Sequence, residues 1–459
     1  MEPQGTKTKT ARAYALELLH RVETQRKYAA PLLNRLLERE EISPPDKGLI
    51  HELVYGVLRW RNRLDWIIGS CASRPMEEMT SWIRNILRLG VYQLTFTQKI
   101  PPAAAVHESV SLAHRYGHQG TAAFVNAILR EVQRRGGAVA FPDAQKEPSQ
   151  FIATYYSHPQ WLMERWLARY GLDLTVEICQ ANNSPPPLTI RINTLRTTRE
   201  PLKEALIEEG AAVKECALSP EGLRILLPVP IPRLSSFQRG WFQVQDESSI
   251  LMGHLLAPQP GQRILDACAG LGGKATHLAQ QMGDRGEVLA LDINPKKLAG
   301  LEENCRRVGV TIVRGCLGDA THLETEIGMF DALLVDAPCS NLGVIRRHPE
   351  IRWLKEESDI HRLQELQLRL LAGVADHLIP GGVLLYCTCS FEPEETEEVV
   401  QRFLKGHPQF ALEDPRPHLP NGAEGLVTEE GYFVSLPSLP YSMDGFFAAR
   451  MKRGNRLSG

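Results

Sequence analysis

Apolar positions in the first third of the chain recur at three- and four-residue steps. In GLIHELVYGVLRWRNRLDWIIG, Leu49, Ile50, Leu53, Val54, Val57 and Leu58 mark one buried face of a helix. SWIRNILRLGVYQL repeats the pattern through Trp82, Ile83, Ile86, Leu87 and Leu89, and TAAFVNAILREV through Phe124, Val125, Ile128, Leu129 and Val132. RRGGAVAFPDAQKEPSQ then breaks the period with glycines, prolines and charges, which predicts a linker. Residues 1–140 therefore read as an all-helical domain.

The pattern is mixed over 150–255. YYSHPQWLMERWLARYG predicts a helix ending at Gly171, a residue suited to a C-cap. NNSPPPLTIRINTL, LRILLPVP and GWFQVQ predict strands, and REPLKEALIEEG a helix, so this is a small α/β module in which Trp241 and Phe242 pack. From 256 to 455 short apolar runs end in small or acidic residues: QRILDACAG, GEVLALDI, VTIVRG, DALLVDAP and GGVLLYCTCS. Helical stretches separate them: GGKATHLAQQM, NPKKLAGLEENCRRVG and DIHRLQELQLRLLAGVADHL. This alternation predicts an α/β domain with a parallel, Rossmann-like sheet covered by helices on both faces.

The composition is that of a globular protein, 43% hydrophobic and 23% charged over 459 residues, and no apolar run reaches 18 residues. The net charge is −2, but residues 1–140 hold 20 Lys and Arg against 13 Asp and Glu, which leaves −9 on the remainder. A basic front on an acidic body suits an anionic partner; a solvated basic helical surface accounts for it equally. The polar start MEPQGTKTKT has no apolar core of a signal peptide, and nine cysteines is an odd count. Together these features lead to the expectation of a reduced, cytoplasmic protein with no membrane association.

Ligands of open parallel sheets bind beyond the carboxyl ends of the strands. The first such end is LDACAGLGGKATHL, where Gly270, Gly272 and Gly273 let backbone approach a ligand closely. The next strand ends in Asp292, 26 residues after Asp266, where a carboxylate can accept both hydroxyls of a ribose. Asp319 and Asp336 end further strands. A row of carboxylates suits S-adenosyl-L-methionine, with its ribose, adenine amine and cationic tail, better than a pyrophosphate. The run G-L-G-G-K-A also departs from the dinucleotide pattern.

VDAPC and YCTCS put cysteines at two of these strand ends. Packing is the ordinary use of such cysteines, and it is the reading favoured for Cys387, with Cys389 exposed at the loop mouth. C-x-C with one more thiol lacks the second ligand pair of a zinc site, so no metal is expected. Methyl transfer to a ring carbon has a use for thiols. Carbon 5 of a pyrimidine is a poor nucleophile until a thiolate adds to carbon 6, and a second thiol assists release.

DACAGLGGK, DALLVDAPCSNLGVIRRHPEIRW and LLYCTCSFEPEETEEVV resemble the donor loop and the two cysteine motifs of RNA 5-methylcytosine methyltransferases. IPPAAAVHESVSLAHRYG and FVNAILR are similar to the NusB-like RNA-binding domain. The whole arrangement resembles the bacterial RsmB (Sun/Fmu) family. That resemblance implies transfer of a methyl group from S-adenosyl-L-methionine to carbon 5 of a cytosine in 16S ribosomal RNA, by a monomer acting before the subunit is fully assembled. The same chemistry on transfer RNA, and a non-catalytic NusB-like assembly factor, are the alternatives. It further implies Cys389 as the nucleophile, Cys339 as the thiol that releases product, and Asp336 as the contact to cytosine N3. Cys268, Ala269, Gly270, Leu271, Gly272, Gly273 and Lys274 would line the donor's methionine part, Asp292 the ribose and Asp319 the adenine side, with Asp336 beside them. The family's loop usually reads C-A-A-P-G-G-K; here Gly270 and Leu271 replace Ala and Pro, which predicts a less stiff loop. Arg346, Arg347 and His348 are expected to touch phosphate or base.

Overall fold

A computed structural model describes residues 9–136, 138–226, 229–438 and 440–455. The chain condenses into two compact units. One holds Met1–Ser184 and Ile345–Lys355, the other Pro185–Val344 and Glu356–Gly459.

The first unit is helical. Its helices span Ala11–Gln25, Ala29–Leu37, Pro44–Gly69, Ser81–Phe96, Pro102–Tyr116, Gln119–Arg135, Pro148–Tyr155 and Gln160–Asn183. The periodic residues form its core: Ile50, Leu53, Val57, Ile86, Leu87, Val125, Ile128 and Leu129 are buried together. Thr10, Ser43 and Thr80 accept from backbone N–H groups at three helix starts, which satisfies donors that have no partner inside the helix.

The expected end at Gly171 is a break rather than a stop. Gly171 takes φ +71°, yet helix resumes to Asn183, because Thr175, Ile178, Cys179 and Asn182 restart a buried face at three- and four-residue steps. The non-contiguous piece Ile345–Lys355 is built into this same unit. Glu350 accepts from Ala29 N at 2.8 Å, Trp353 Nε1 donates to Leu58 O at 2.7 Å, and buried Arg352 donates to Ser157 O at 2.6 Å.

The second unit holds two sheets. Strands β1 (Leu188–Ile192), β2 (Val213–Glu215), β3 (Gly222–Ile225) and β4 (Phe242–Val244) form an antiparallel sheet in the order β2-β3-β1-β4. Phe242 is fully buried with Ile190, Ile192 and Leu223, and Trp241 packs against the same cluster. The remaining strands are β5 (Arg263–Asp266), β6 (Glu287–Asp292), β7 (Val313–Leu317), β8 (Phe330–Asp336), β9 (Leu378–Thr388), β10 (Phe410–Leu412), β11 (Phe433–Ser435) and β12 (Phe446–Arg453). Their order is β10-β12-β9-β8-β5-β6-β7, with β11 also on β12. The run from β9 through β7 is parallel, and β12 returns antiparallel against β9. Two apolar layers, one containing Ile264, Ala290 and Leu334 and the other Leu265, Leu289 and Leu333, cover the two faces. The order reverses at β5, whose neighbours β6 and β8 lie on opposite sides, so a crevice opens at the carboxyl ends of β5 and β8.

Candidate active site

The loop after β5 is held by backbone pairing on both flanks. Ala267 N donates to Leu334 O at 2.8 Å and Ala269 N to Leu291 O at 2.9 Å. Gly270 and Gly272 have φ +58° and +79°, the region that side chains disfavour. A Cβ on Gly272 would also lie 2.8 Å from Leu301 Cγ. Gly270, one of the two departures from the usual loop, thus carries a left-handed turn. Its N–H donates to Asp292 Oδ2 at 3.0 Å, while Leu271 is largely exposed. Gly273 opens the helix Gly273–Gln281, and Lys274 reaches back from it to Asp336 Oδ2 at 2.6 Å. Burial alone would lower the Lys274 ammonium; Asp336, Cys387 and Asp266 outweigh it and raise it instead.

Asp292, at the end of β6, accepts from Asn294 N at 2.8 Å as well as from Gly270. Asp319 follows β7 and is exposed; its Oδ1 accepts from Thr321 N at 2.9 Å, and these bonds to Thr321 lower its carboxyl. Cys268 is held high by burial, with Asp266 adding to the effect. Sequence reading used Asp266 only as a point to count from. In the structure it is 1% exposed, neither oxygen has a close hydrogen-bond partner, and burial followed by the Asp336 charge pushes it up to about 7.

The second half of the site is built on β8 and β9, where Asp336 pairs in register with Cys387. Cys387 is fully buried, its Sγ donates to Asp336 Oδ1 at 3.5 Å, and burial holds its thiol high. Cys389 lies beyond the strand end and is half-buried. Its Sγ is 3.2 Å from that of Cys339, 50 residues away in sequence. Asn341, at φ +63°, turns its Oδ1 to both thiols, 2.8 Å from Cys389 and 3.5 Å from Cys339. The contact with Cys389, followed by burial, raises the Cys339 thiol well above the ordinary range.

Two features lock these loops together. Gly343 N donates to Cys389 O at 2.9 Å, and Gly445 N to Gly343 O at 2.8 Å. Buried Glu395 accepts from Ser340 N at 2.7 Å, from Ser340 Oγ, and from Ser390 Oγ at 2.6 Å, thereby joining the residue after each cysteine. Neither Glu395 nor Asn341 was singled out from sequence. No sequence signal separates Glu395 from its neighbours Glu392 and Glu394.

The basic run after the first cysteine motif falls in the helical unit. Arg346 is buried with its Nε on Ser184 O at 3.3 Å, and His348 is half-buried, within the helical unit. Arg346 is therefore spent on internal structure rather than offered to phosphate or base, a correction to the sequence reading.

The geometry suits chemistry with two thiols, an Asp–Lys pair and a cation-seeking loop. Asp266 and Asp336 beside Lys274, with Asp292 on the next strand end, favour a cationic small molecule and disfavour a pyrophosphate. Among the described residues no helix is long and apolar enough to cross a membrane.

Residues 253–452 match a family model described as 16S rRNA methyltransferase RsmB/F. Residues 9–134 match the NusB family, and 158–232 the ferredoxin-like domain of RsmF/B-like methyltransferases. A Bacillus subtilis (strain 168) protein named probable ribosomal RNA small subunit methyltransferase B is 37% identical over 450 residues, 97% of this chain and 99% of that one. A Klebsiella pneumoniae protein named ribosomal RNA small subunit methyltransferase B is 36% identical over 421 residues, 91% and 93% of the two chains. Among solved structures, a methyltransferase homolog protein from Pyrococcus horikoshii is 28% identical with a TM-score of 0.56, covering 66% of this chain and 97% of that one. The helical front is thus NusB-like, the small sheet ferredoxin-like, and the large sheet a Rossmann-like methyltransferase.

Proposed function

The chain belongs to the 16S rRNA methyltransferase RsmB/F family, and we propose that its reaction moves a methyl group from S-adenosyl-L-methionine to carbon 5 of a cytosine in 16S ribosomal RNA. The observation that carries this reading is the pair of thiols 3.2 Å apart, on loops that leave adjacent parallel strands beside the crevice.

In this reading Cys389, the more exposed thiol, loses its proton and its sulfur bonds to carbon 6. The ring electrons move to carbon 5, which becomes a nucleophilic enamine carbon. The bound donor supplies an electrophilic methyl group. Carbon 5 takes it up, leaving S-adenosyl-L-homocysteine. Cys339, having given its own proton to solvent, takes the carbon-5 proton as the C6–S bond breaks and returns its electron pair to Cys389; its raised pKa makes that thiolate a strong base. Asp336, oriented by Lys274, holds the cytosine at N3.

The donor would be held by the loop Cys268–Lys274 with its methionine part, by Asp292 at the ribose and by Asp319 on the adenine side, with Asp336 beside them. Asp266 joins them here, since a buried carboxyl held only loosely, by the Cys268 backbone and the Lys274 charge, fits a cationic ligand. The RNA partner is met before full subunit assembly, by a monomer in the cytoplasm.

The test is incubation with labelled donor and unmodified 16S RNA, followed by mapping of the labelled base. Label on carbon 5 of a cytosine is expected, and label on an amino nitrogen or a ribose oxygen would overturn the reading. Cys389→Ala abolishes turnover and covalent capture. Cys339→Ala accumulates a protein–RNA adduct that survives denaturation, and free turnover by either variant would remove that thiol from the scheme.

A further inference from the structure

A second cluster of chemically able side chains lies away from the thiols, where the ferredoxin-like sheet meets the catalytic domain. Glu221 sits just before β3, His254 on the helix Glu247–Leu256 and His277 on the helix Gly273–Gln281. His254 Nε2 is 2.8 and 3.1 Å from the two Glu221 oxygens, and His277 Nε2 is 2.8 Å from Oε1. All three ligand atoms fall within 4.8 Å of one another, the only such cluster of three or more among the described residues. They line a cavity of about 350 Å³, together with Thr194, Thr198 and Gln280.

A plain hydrogen-bonded triad leaves this site unsatisfied. For both rings to donate from Nε2 to Glu221, Nδ1 of His277 must be a bare acceptor. That atom is buried without a partner, and so is Gln281 Oε1. The two approach the same point: an ideal Cβ on Gly253 would lie 2.5 Å from His277 Nδ1 and 2.9 Å from Gln281 Oε1. In the triad tautomer, two acceptors therefore face one neighbourhood. If a metal takes Nε2, the proton moves to Nδ1, where a modest side-chain shift would bring it to Gln281 Oε1, the kind of second partner that metal-binding histidines usually keep. Gln280, 5% exposed with an unpartnered Nε2, lines the same cavity. Two imidazoles and one carboxylate with open space beyond them are the donor set of a four-coordinate zinc-class ion; its ligand atoms sit about 3.3 Å apart, so the 2.8 Å contacts of the triad open slightly on binding.

We propose that Glu221, His254 and His277 bind one divalent transition-metal ion of the zinc class, with the fourth position open to the cavity. The ion ties the ferredoxin-like sheet to the helix that starts at the donor loop, since His277 lies three residues beyond Lys274. The cysteines that first raised the question of metal take no part.

The full-length chain, stripped by chelator and titrated with Co²⁺ and Zn²⁺, provides the test. One equivalent is expected to bind, with visible cobalt bands and no intense thiolate-to-cobalt band in the near ultraviolet. His254→Ala and Glu221→Ala are expected to weaken binding at least 100-fold with unchanged circular dichroism, whereas Cys389→Ser binds as the parent does. Zinc is expected to raise the melting temperature of the parent and not of His254→Ala. If the parent binds no stoichiometric ion, if His254→Ala binds as tightly as the parent, or if a thiolate band appears, the cluster is a hydrogen-bonded triad only and the proposal is overturned.

Discussion

Asp266→Asn tests the electrostatics of the crevice directly. The carboxyl stands at about 7 in the folded chain against 3.8 unperturbed. A folded value above the unfolded one means that the folded chain holds a proton which the unfolded chain gives up. The stabilisation is complete below 3.8 and is lost as pH rises towards 7. Three units at 1.36 kcal/mol each make the whole effect roughly 4 kcal/mol. Between pH 5 and pH 8 roughly 2.5 kcal/mol of it should disappear, most steeply between pH 5 and pH 6. Asparagine cannot ionise, so its own cost is independent of pH. The assay is denaturant unfolding of the donor-free parent and variant at pH 5, 6, 7 and 8. The variant is expected to gain on the parent by that amount across the range. A cationic donor relieves the buried charge, so donor affinity of the parent should rise with pH over the same window and that of the variant should not. A stability difference that stays flat to within about 0.5 kcal/mol from pH 5 to pH 8 would refute the reasoning.

Glu395→Gln keeps the volume and one acceptor oxygen but puts an NH2 group in place of the other, so Ser340 N and the two serine hydroxyls can no longer all donate to it; the thiols shift, and kcat should fall about 100-fold with donor affinity unchanged. A Cβ at Gly343 would lie 2.0 Å from Gly445 O and 2.8 Å from Cys389 O. Gly343→Ala should therefore cost about 3 kcal/mol in denaturant unfolding, together with most of the activity. Arg352→Met leaves the carbonyl of Ser157 without its 2.6 Å donor inside the helical unit, and should lower that unit's stability by about 2 kcal/mol, read as an earlier unfolding midpoint.

Periodicity alone was enough to read the helices of the front and the strand–helix alternation of the back. Each of those elements buries a face, and burial imposes the period. Ile50, Leu87 and Ile128, marked from spacing, are in the core. The donor loop, Asp292 and the two cysteine motifs were legible because each lies next to its strand end in sequence. What sequence could not provide was the meeting of distant segments. That Cys339 and Cys389 come within 3.2 Å depends on β8 and β9 pairing as neighbours, and strand order is a property of the assembled sheet. Glu395 and Asn341 gain their parts from the same pairing. Asp266 titrates high only because folding buries it beside Asp336. Arg346, Arg347 and His348 look like a phosphate-binding run in one dimension, yet the tertiary fold buries Arg346 inside the helical unit. Local patterns determine which faces are apolar and where strands end. Which charges meet, and which lose their water, is decided only when separate elements close on one another.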